Sequence, residues 1–339
     1  LLALGVHEAV LRRPAAATTL LAAFEAGLRE DIRLADEASE LLLPMAPIEA
    51  LVSVARAWRE HGDAMRSDRI WTELRAKDSQ SVQLALEHAE MLANALRFDR
   101  ALAVLESVEF NLHGQNLGLH GWCLSRTGKR QEGLAEMREA LDLLSPGDIR
   151  NRALLLSRLG ISLFLGGHVD EGVARLDDSL RELDALNDPE VEARIRGNLG
   201  LRFRIEGKLA RAQAENLLAF ELARAHGRPD QIPTALANLL STAQDLCDWP
   251  SWDAYQSMLE DTSRHSGNAV AFIRCLEGRA TIGVLRGRTK DSNRALIKVR
   301  PWFSDGRSEE HSLYITVLRS AVRARRGEME RSVRRINRA

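Results

Sequence analysis

Between Asn151 and Leu165 the apolar residues Leu155, Leu156, Leu159, Leu163 and Phe164 recur at steps of three and four. That spacing puts them along one side of an α-helix. Gly166-Gly167 breaks the pattern, as a helix C-terminus often does. Val173, Leu176, Leu180 and Leu183 resume it through residues 169–186, and Asn187-Asp188-Pro189 ends that helix and starts the next. Each period therefore predicts helix, short turn, helix, connector. No run of alternating β-branched residues lies between turn dipeptides, so no strand is expected.

The turn glycines keep a ruler. Gly128, Gly167, Gly207, Gly287 and Gly327 stand 39 or 40 residues apart once Cys247 is counted in the one gap. A period of 20–50 residues is the signature of stacked repeats. Seven residues before each turn stands a second set, Gly121, Gly160, Gly200, Leu240, Ala280 and Ser320; about five after it stands a third, Gly133, Gly172, Ala212, Trp252, Ser292 and Ser332. Small residues at these places mark where two helices approach closely. Upstream the step shortens: Gly62, followed by Asp63, Ser67 and Trp71, and Leu96, followed by Phe98, Ala101 and Leu105, stand 34 and 32 residues before the next turn. A further hairpin is expected from about Thr18 to Leu43, ended by Pro44 and Pro47. The pattern predicts one continuous array of eight or nine hairpins, with a shorter step over residues 1–110 and a longer one over 111–339.

These residues resemble the tetratricopeptide repeat. One repeat supplies Leu159-Gly160, Leu163, Gly167, Gly172, Leu176 and Ser179; the next supplies Leu199-Gly200, Phe203, Gly207, Ala212, Asn216 and Ala219. The preceding one supplies Gly121, Leu124, Gly128, Gly133, Met137 and Ala140, with Pro146 after it. Asn216 and Gln256 depart from the large apolar type, and Cys247 departs from the turn glycine within Asp248-Trp249-Pro250-Ser251-Trp252. The resemblance implies an all-α, right-handed superhelical solenoid of antiparallel hairpins. The 40-residue step is similar to extended repeats in sensor arms of bacterial signalling ATPases, transcription regulators and some kinases.

At 339 residues an ordinary globular chain suggests two domains, but in a solenoid each repeat contacts only its neighbours and that inference lapses. Cys123, Cys247 and Cys275 form no CxxC pair and no metal spacing, which favours a reducing cytoplasm and thiols that pack as small apolar residues. No segment has 18 uncharged apolar residues, and Pro14–Phe24 is too short to span a membrane. The chain lacks an initial Met and ends inside a helical pattern, so an excerpt of a longer protein is expected. Net charge is −1 but unevenly placed. From Arg264 onward 18 Lys and Arg face 7 Asp and Glu, leaving 29 against 41 in the rest of the chain. Arg319, Arg323, Arg325, Arg326, Arg331, Arg334, Arg335 and Arg338 form a basic end. It suits phosphate or an acidic partner, or pairs with the acidic body. It lacks the interleaved aromatics of a single-strand binder.

No catalytic constellation emerges, and no metal or cofactor is expected. Thr127-Gly128-Lys129-Arg130 lacks the first glycine and the closing Ser or Thr of a phosphate loop and reads as a repeat turn. His120 and Cys123 share a helix face without an orienting third group and read as packing. His7, His61, His88 and His168 read as surface or turn residues, and Asp177-Asp178 as solvated charge.

In the resembled family the first helix of each hairpin lines a concave groove. Carried over by register, that face offers Trp122 and Arg126; Arg158, Ile161 and Phe164; Arg194, Asn198, Leu201 and Arg204; Asn238, Ser241 and Gln244; and Arg274. Arginines supply forked donors for carboxylates, asparagines pair with backbone amides, and aromatics bury an apolar anchor. Asn198 and Asn238 have a second reading, as bonds to a neighbouring helix. Trp249 and Trp252 are expected in the inter-repeat core rather than as an exposed anchor. The expected function is a non-catalytic scaffold or sensor that binds a protein or peptide segment of acidic character. The alternatives are a regulatory arm of a larger bacterial signalling enzyme or transcription regulator, and nucleic-acid binding through the basic end.

Overall fold

In the computed structural model, residues 1–5, 15–95, 97–108, 114–226, 228–266, 269–299, 317 and 319–325 are described. Sixteen helices of eight residues or more form eight antiparallel hairpins among them. The first three hairpins are α1 (Ala16–Glu30) with α2 (Ile32–Leu42), α3 (Ile48–Glu60) with α4 (Ala64–Lys77), and α5 (Val82–Asn94) with α6 (Phe98–Leu105). The next three are α7 (Gly114–Arg126) with α8 (Arg130–Leu143), α9 (Ile149–Leu165) with α10 (Val169–Asp184), and α11 (Pro189–Ile205) with α12 (Leu209–Ala225). The last two are α13 (Ile232–Asp245) with α14 (Trp249–Ser266), and α15 (Ala269–Leu285) with α16 (Thr289–Val299). No strand occurs among the described residues. From α5 onward each first helix also packs on the first helix of the next hairpin, which makes a continuous inner wall.

The ruler marks left-handed turns. Gly62, Gly128, Gly167, Gly207 and Gly287 have φ between +74° and +95°. Cys247, the substitute in the series, is the one non-glycine residue with positive φ among the described residues, at +55°. The residue after the turn donates its N–H five residues back: Asp63 to Trp58, Lys129 to Leu124, His168 to Leu163, Lys208 to Phe203 and Asp248 to Ala243, at 2.8–3.1 Å. This is the bond that closes a helix ending on a left-handed residue. Leu96 and Gly327 lie outside the described residues.

The second and third small-residue series meet each other. A Cβ on Gly133 would lie 2.3 Å from the Gly121 carbonyl oxygen, and one on Gly172 2.8 Å from that of Gly160. Where a serine replaces the glycine, its hydroxyl uses the same proximity: Ser67 Oγ donates to Ala55 O and Ser292 Oγ to Ala280 O, both at 2.8 Å. The seventh hairpin places Leu240 and Trp252 there instead, and both are buried in one apolar cluster with Leu236, Leu239 and Leu259. Trp71 is likewise buried, and Trp249 packs partly buried beneath Arg286.

One apolar core runs unbroken from Leu20 to Leu124. Farther along, polar residues enter the core. Asn216 is fully buried and donates to Thr242 Oγ1, and its bulk is received by Gly200, where a Cβ would lie 2.0 Å from Asn216 Oδ1. Gln256 donates to the Cys275 carbonyl and faces Gly278 in the same way. The two departures from the repeat pattern are thus accommodated by glycine opposite.

His88 differs from its sequence reading. It is 2% exposed, stacked on Trp71, with Nε2 2.8 Å from Asp68 Oδ1. Arg97 and Arg100 bind the same carboxylate. Burial opposes the Asp68 charge, but the His88 hydrogen bond and the two arginines hold its carboxyl below the usual range. Burial pushes the His88 imidazole down despite Asp68, with Arg75 and Arg100 adding to the effect. A helix-face count cannot register this, because Asp68, Arg97 and Arg100 supply the partners that make a buried imidazole tolerable.

Three outcomes follow from these contacts. Cys247→Gly raises the denaturation midpoint, worth about 0.5–1 kcal/mol, since only the left-handed backbone is changed at an exposed site. Gly133→Ala lowers it by about 1–3 kcal/mol through the clash with Gly121. The unfolded chain protonates His88 near pH 6.5 and the folded chain only at lower pH, so acid favours unfolding. Stability falls as pH drops below about 6.5, and His88→Gln, which keeps a donor for Asp68, flattens that slope in urea titrations at several pH values.

Candidate functional site

The inner wall encloses a cavity of about 260 Å³. Its lining comes from the third through eighth hairpins, including Asn94 of α5, Phe98 of α6, Trp122 and Arg126 of α7, and Arg158 of α9. Arg194 and Asn198 of α11, Asp230 and Gln231 just before α13, Asn238 of α13 and Arg274 of α15 also belong to the polar part. Residues 180 positions apart share one space because each hairpin rotates slightly on the last. Leu154, Ile161, Leu165 and Leu201 supply apolar wall between the polar groups.

One side is a stack. The Arg158 guanidinium carbon lies 4.3 Å from the Trp122 ring centroid, Trp122 meets Phe98 edge-on at 5.3 Å, and Arg126 covers Phe98 at 5.5 Å. The rings keep the arginines in place. The Arg158 side chain is 15% exposed, and burial lowers its pKa. Arg194 donates to Asn94 Oδ1 and to Glu190 Oε1, each at 3.0 Å. The Glu90 carboxylate stands 3.5 Å from Arg158 and 3.8 Å from Arg194. Burial opposes its charge, but these arginines hold it below the usual carboxylate range.

Two amide atoms of the lining are buried without a hydrogen-bond partner: Asn94 Nδ2, a donor, and Gln231 Oε1, an acceptor. Their amide orientations are set by Arg194 on Asn94 Oδ1 and by Gln231 Nε2 on the Glu190 carbonyl. Buried polar atoms are nearly always paired, and these two belong to side chains that line the cavity. Neither residue was reachable from the repeat register, since Asn94 ends a helix and Gln231 precedes one.

Nine residues expected on the groove line the cavity: Trp122, Arg126, Arg158, Ile161, Arg194, Asn198, Leu201, Asn238 and Arg274. Phe164, Arg204, Ser241 and Gln244 do not. Phe164 is buried, with its backbone against Gly172, roughly a quarter turn around α9 from the lining stripe. Arg204 stands near the end of α11 beyond the rim and pairs with Asp245 at 3.0 Å. Gln244 lies more than one turn past Asn238 on α13. Of the basic end, Arg319, Arg323 and Arg325 lie in the helical residues 319–325, whereas Arg326, Arg331, Arg334, Arg335 and Arg338 lie outside the described residues, as does His7.

The remaining candidates have structural partners. His120 pairs with Glu136 at 2.6 Å while Cys123 is fully buried, its thiol pushed up to about 12 by burial. Among the described residues no group of three or more His, Cys, Asp and Glu is placed to hold a metal ion, and no helix is long and apolar enough to cross a membrane.

Asn198 donates to Ser157 Oγ at 2.8 Å and Asn238 to the Gly197 carbonyl at 3.4 Å, each reaching the preceding first helix. Both Oδ1 atoms remain without a hydrogen bond. Asn198→Ala therefore costs about 1 kcal/mol of stability in urea denaturation, and Asn238→Ala less, because its bond is longer.

No family model and no curated protein matches the chain. Solved structures do. A Rap protein complexed with Competence and Sporulation Factor aligns at a TM-score of 0.64 and 14% identity, covering 99% of this chain and 96% of that one. Aspartyl phosphate phosphatase F from Bacillus subtilis aligns at 0.54 and 11% identity, covering 96% and 93%. The apo form of RapI aligns at 0.52 and 11% identity, covering 95% and 96%. At these identities the likeness concerns the backbone, and over nearly its whole length the chain has a tetratricopeptide-like helical-repeat fold.

Proposed function

We propose that the chain is a non-catalytic interaction module that receives a short segment of a peptide or protein in the cavity of its inner wall. The observation that carries this reading is the unpaired Asn94 Nδ2 and Gln231 Oε1 in a lining that also holds apolar side chains and arginines. A peptide group presents one acceptor and one donor, which matches that pair. The apolar surfaces of Trp122, Leu154, Ile161 and Leu201 suit an apolar side chain of the same segment. Arg158 and Arg194 favour an acidic group beside it, because a guanidinium binds carboxylate through paired donors. One of the aligned Rap proteins is complexed with Competence and Sporulation Factor, in keeping with a module that receives a partner.

The test is a titration of short peptides, each offered in an acidic form and in the form with Gln and Asn in place of Glu and Asp. Acidic forms bind roughly tenfold or more tightly, the scale of one charge-assisted hydrogen bond. Arg158→Ala combined with Arg194→Ala abolishes that preference while circular dichroism reports unchanged helicity. Unchanged affinity in the double variant, or no binding by any peptide, overturns the reading.

A further inference from the structure

Glu90 makes a poor ion pair with good partners. Charge-assisted N–H to carboxylate bonds run to about 2.7–2.9 Å. Elsewhere in the chain they reach that range, as in Arg56 with Glu87 at 2.6 and 2.8 Å and Arg66 with Asp36 at 2.6 Å. Glu90 instead stands off at 3.5 Å from Arg158 and 3.8 Å from Arg194. The shortfall is most telling at Arg158. Its guanidinium has five N–H donors, is largely withdrawn from water against Trp122, and makes one hydrogen bond at the 3.5 Å limit. A dehydrated guanidinium so lightly engaged calls for a closer anion.

The same contact has an unusual reach. Glu90 belongs to α5 in the third hairpin, while Arg158 and Arg194 belong to α9 and α11 in the fifth and sixth. The Arg158–Glu90 contact spans 68 residues, and the Arg194–Asn94 bond beside it spans 100. Both skip the fourth hairpin, whose Trp122 lies against the Arg158 guanidinium. Together they form a clasp across the inner face, and the clasp is made at the arginines that face the cavity.

We propose that Glu90 is a resident substitute for a ligand carboxylate: an incoming acidic group displaces it from Arg158 and Arg194, and its displacement loosens the tie of the third hairpin to the fifth and sixth, leaving the Arg194–Asn94 bond. This rests on reading the cavity as a binding site. The ligand-free chain is thereby held closed by its own carboxylate, and the acidic group that wins the arginines also loosens the clasp. Occupancy of the cavity and the spacing of the hairpins become one equilibrium, since a ligand shifts a conformation by as much as it prefers one state.

The probe is glutarate, whose two carboxylates are separated by three methylenes, with glutaramide as the uncharged control, titrated by calorimetry at fixed ionic strength. Glu90→Gln keeps the side-chain shape and removes the competing charge. It binds glutarate at least tenfold more tightly than the unaltered chain, and glutaramide binds neither. Glu90→Asp, withdrawn by one methylene, gains a smaller factor in the same direction and serves if the glutamine variant does not fold. Equal glutarate affinity in the unaltered and substituted chains, including no measurable binding in either, overturns the proposal.

Spin labels at Ala103→Cys and Ala210→Cys, both exposed and on the third and sixth hairpins, read the clasp without any ligand. Cys247→Gly removes the exposed native thiol, and Cys123 and Cys275 are buried. The distance distribution lengthens or broadens in Glu90→Gln and in the unaltered chain saturated with glutarate. A distribution indifferent to both overturns the clasp. Peptide binding is scored separately: peptides that bind the unaltered chain while glutarate fails to discriminate remove Glu90 alone, and discrimination by glutarate without peptide binding removes only the peptide.

Discussion

The structure depends on how near the two helices of a hairpin can come. In four hairpins the carbonyl oxygen of the first helix is met by the residue twelve positions on, and that residue is glycine or serine. This contact leaves no room for a longer side chain, so it fixes the separation and crossing of the pair. The left-handed turn between them follows, because three residues must carry the chain from one helix end to the next helix start. With the hairpin made rigid, its outer sides can only stack on neighbours, and the slight rotation of each unit accumulates into a curved inner wall. The cavity is a product of that accumulation.

What the sequence discloses follows this hierarchy. The turns were readable because positive φ restricts residue type, and the 40-residue spacing even identifies Cys247 as a turn residue against its chemistry. The close contacts were readable because only small residues fit. Trp122, Arg158 and Arg194 were placed on the inner wall by register alone. Phe164 was misplaced because an aromatic at helical spacing looks the same whether it faces the groove or the partner helix, and a quarter turn separates the two. Arg204 and Gln244 were on the correct helices but too far along them. Glu90, Asn94 and Gln231 were illegible for a different reason: their significance arises from residues up to 100 positions away, and no local pattern encodes how far a superhelix has turned.

The two ends of the array are cohesive in different ways. Up to α7 the stacking surfaces are largely apolar, with two fully buried tryptophans, and the Asp68–His88 pair is a polar exception. Beyond α11 the same surfaces admit Asn216, Thr242, Gln256 and Glu277. Apolar stacking tolerates small shifts at little cost, whereas a buried amide loses its bond when its partner moves a few tenths of an ångström. The later hairpins are therefore tied to specific registers. Glycine at 200 and 278 is part of that device, since it provides the space in which an amide can sit at the helix contact.

A solenoid without long-range contacts is an elastic coil, each unit yielding equally to a pull on its ends. The contacts of Glu90 and Asn94 with Arg158 and Arg194 join turns of the coil that would otherwise move apart. Extension is then confined to the hairpins on either side, which behave as compliant ends on a stiff centre. Whatever is attached at those ends would feel the charge state of a few side chains at the middle as a change in spring constant.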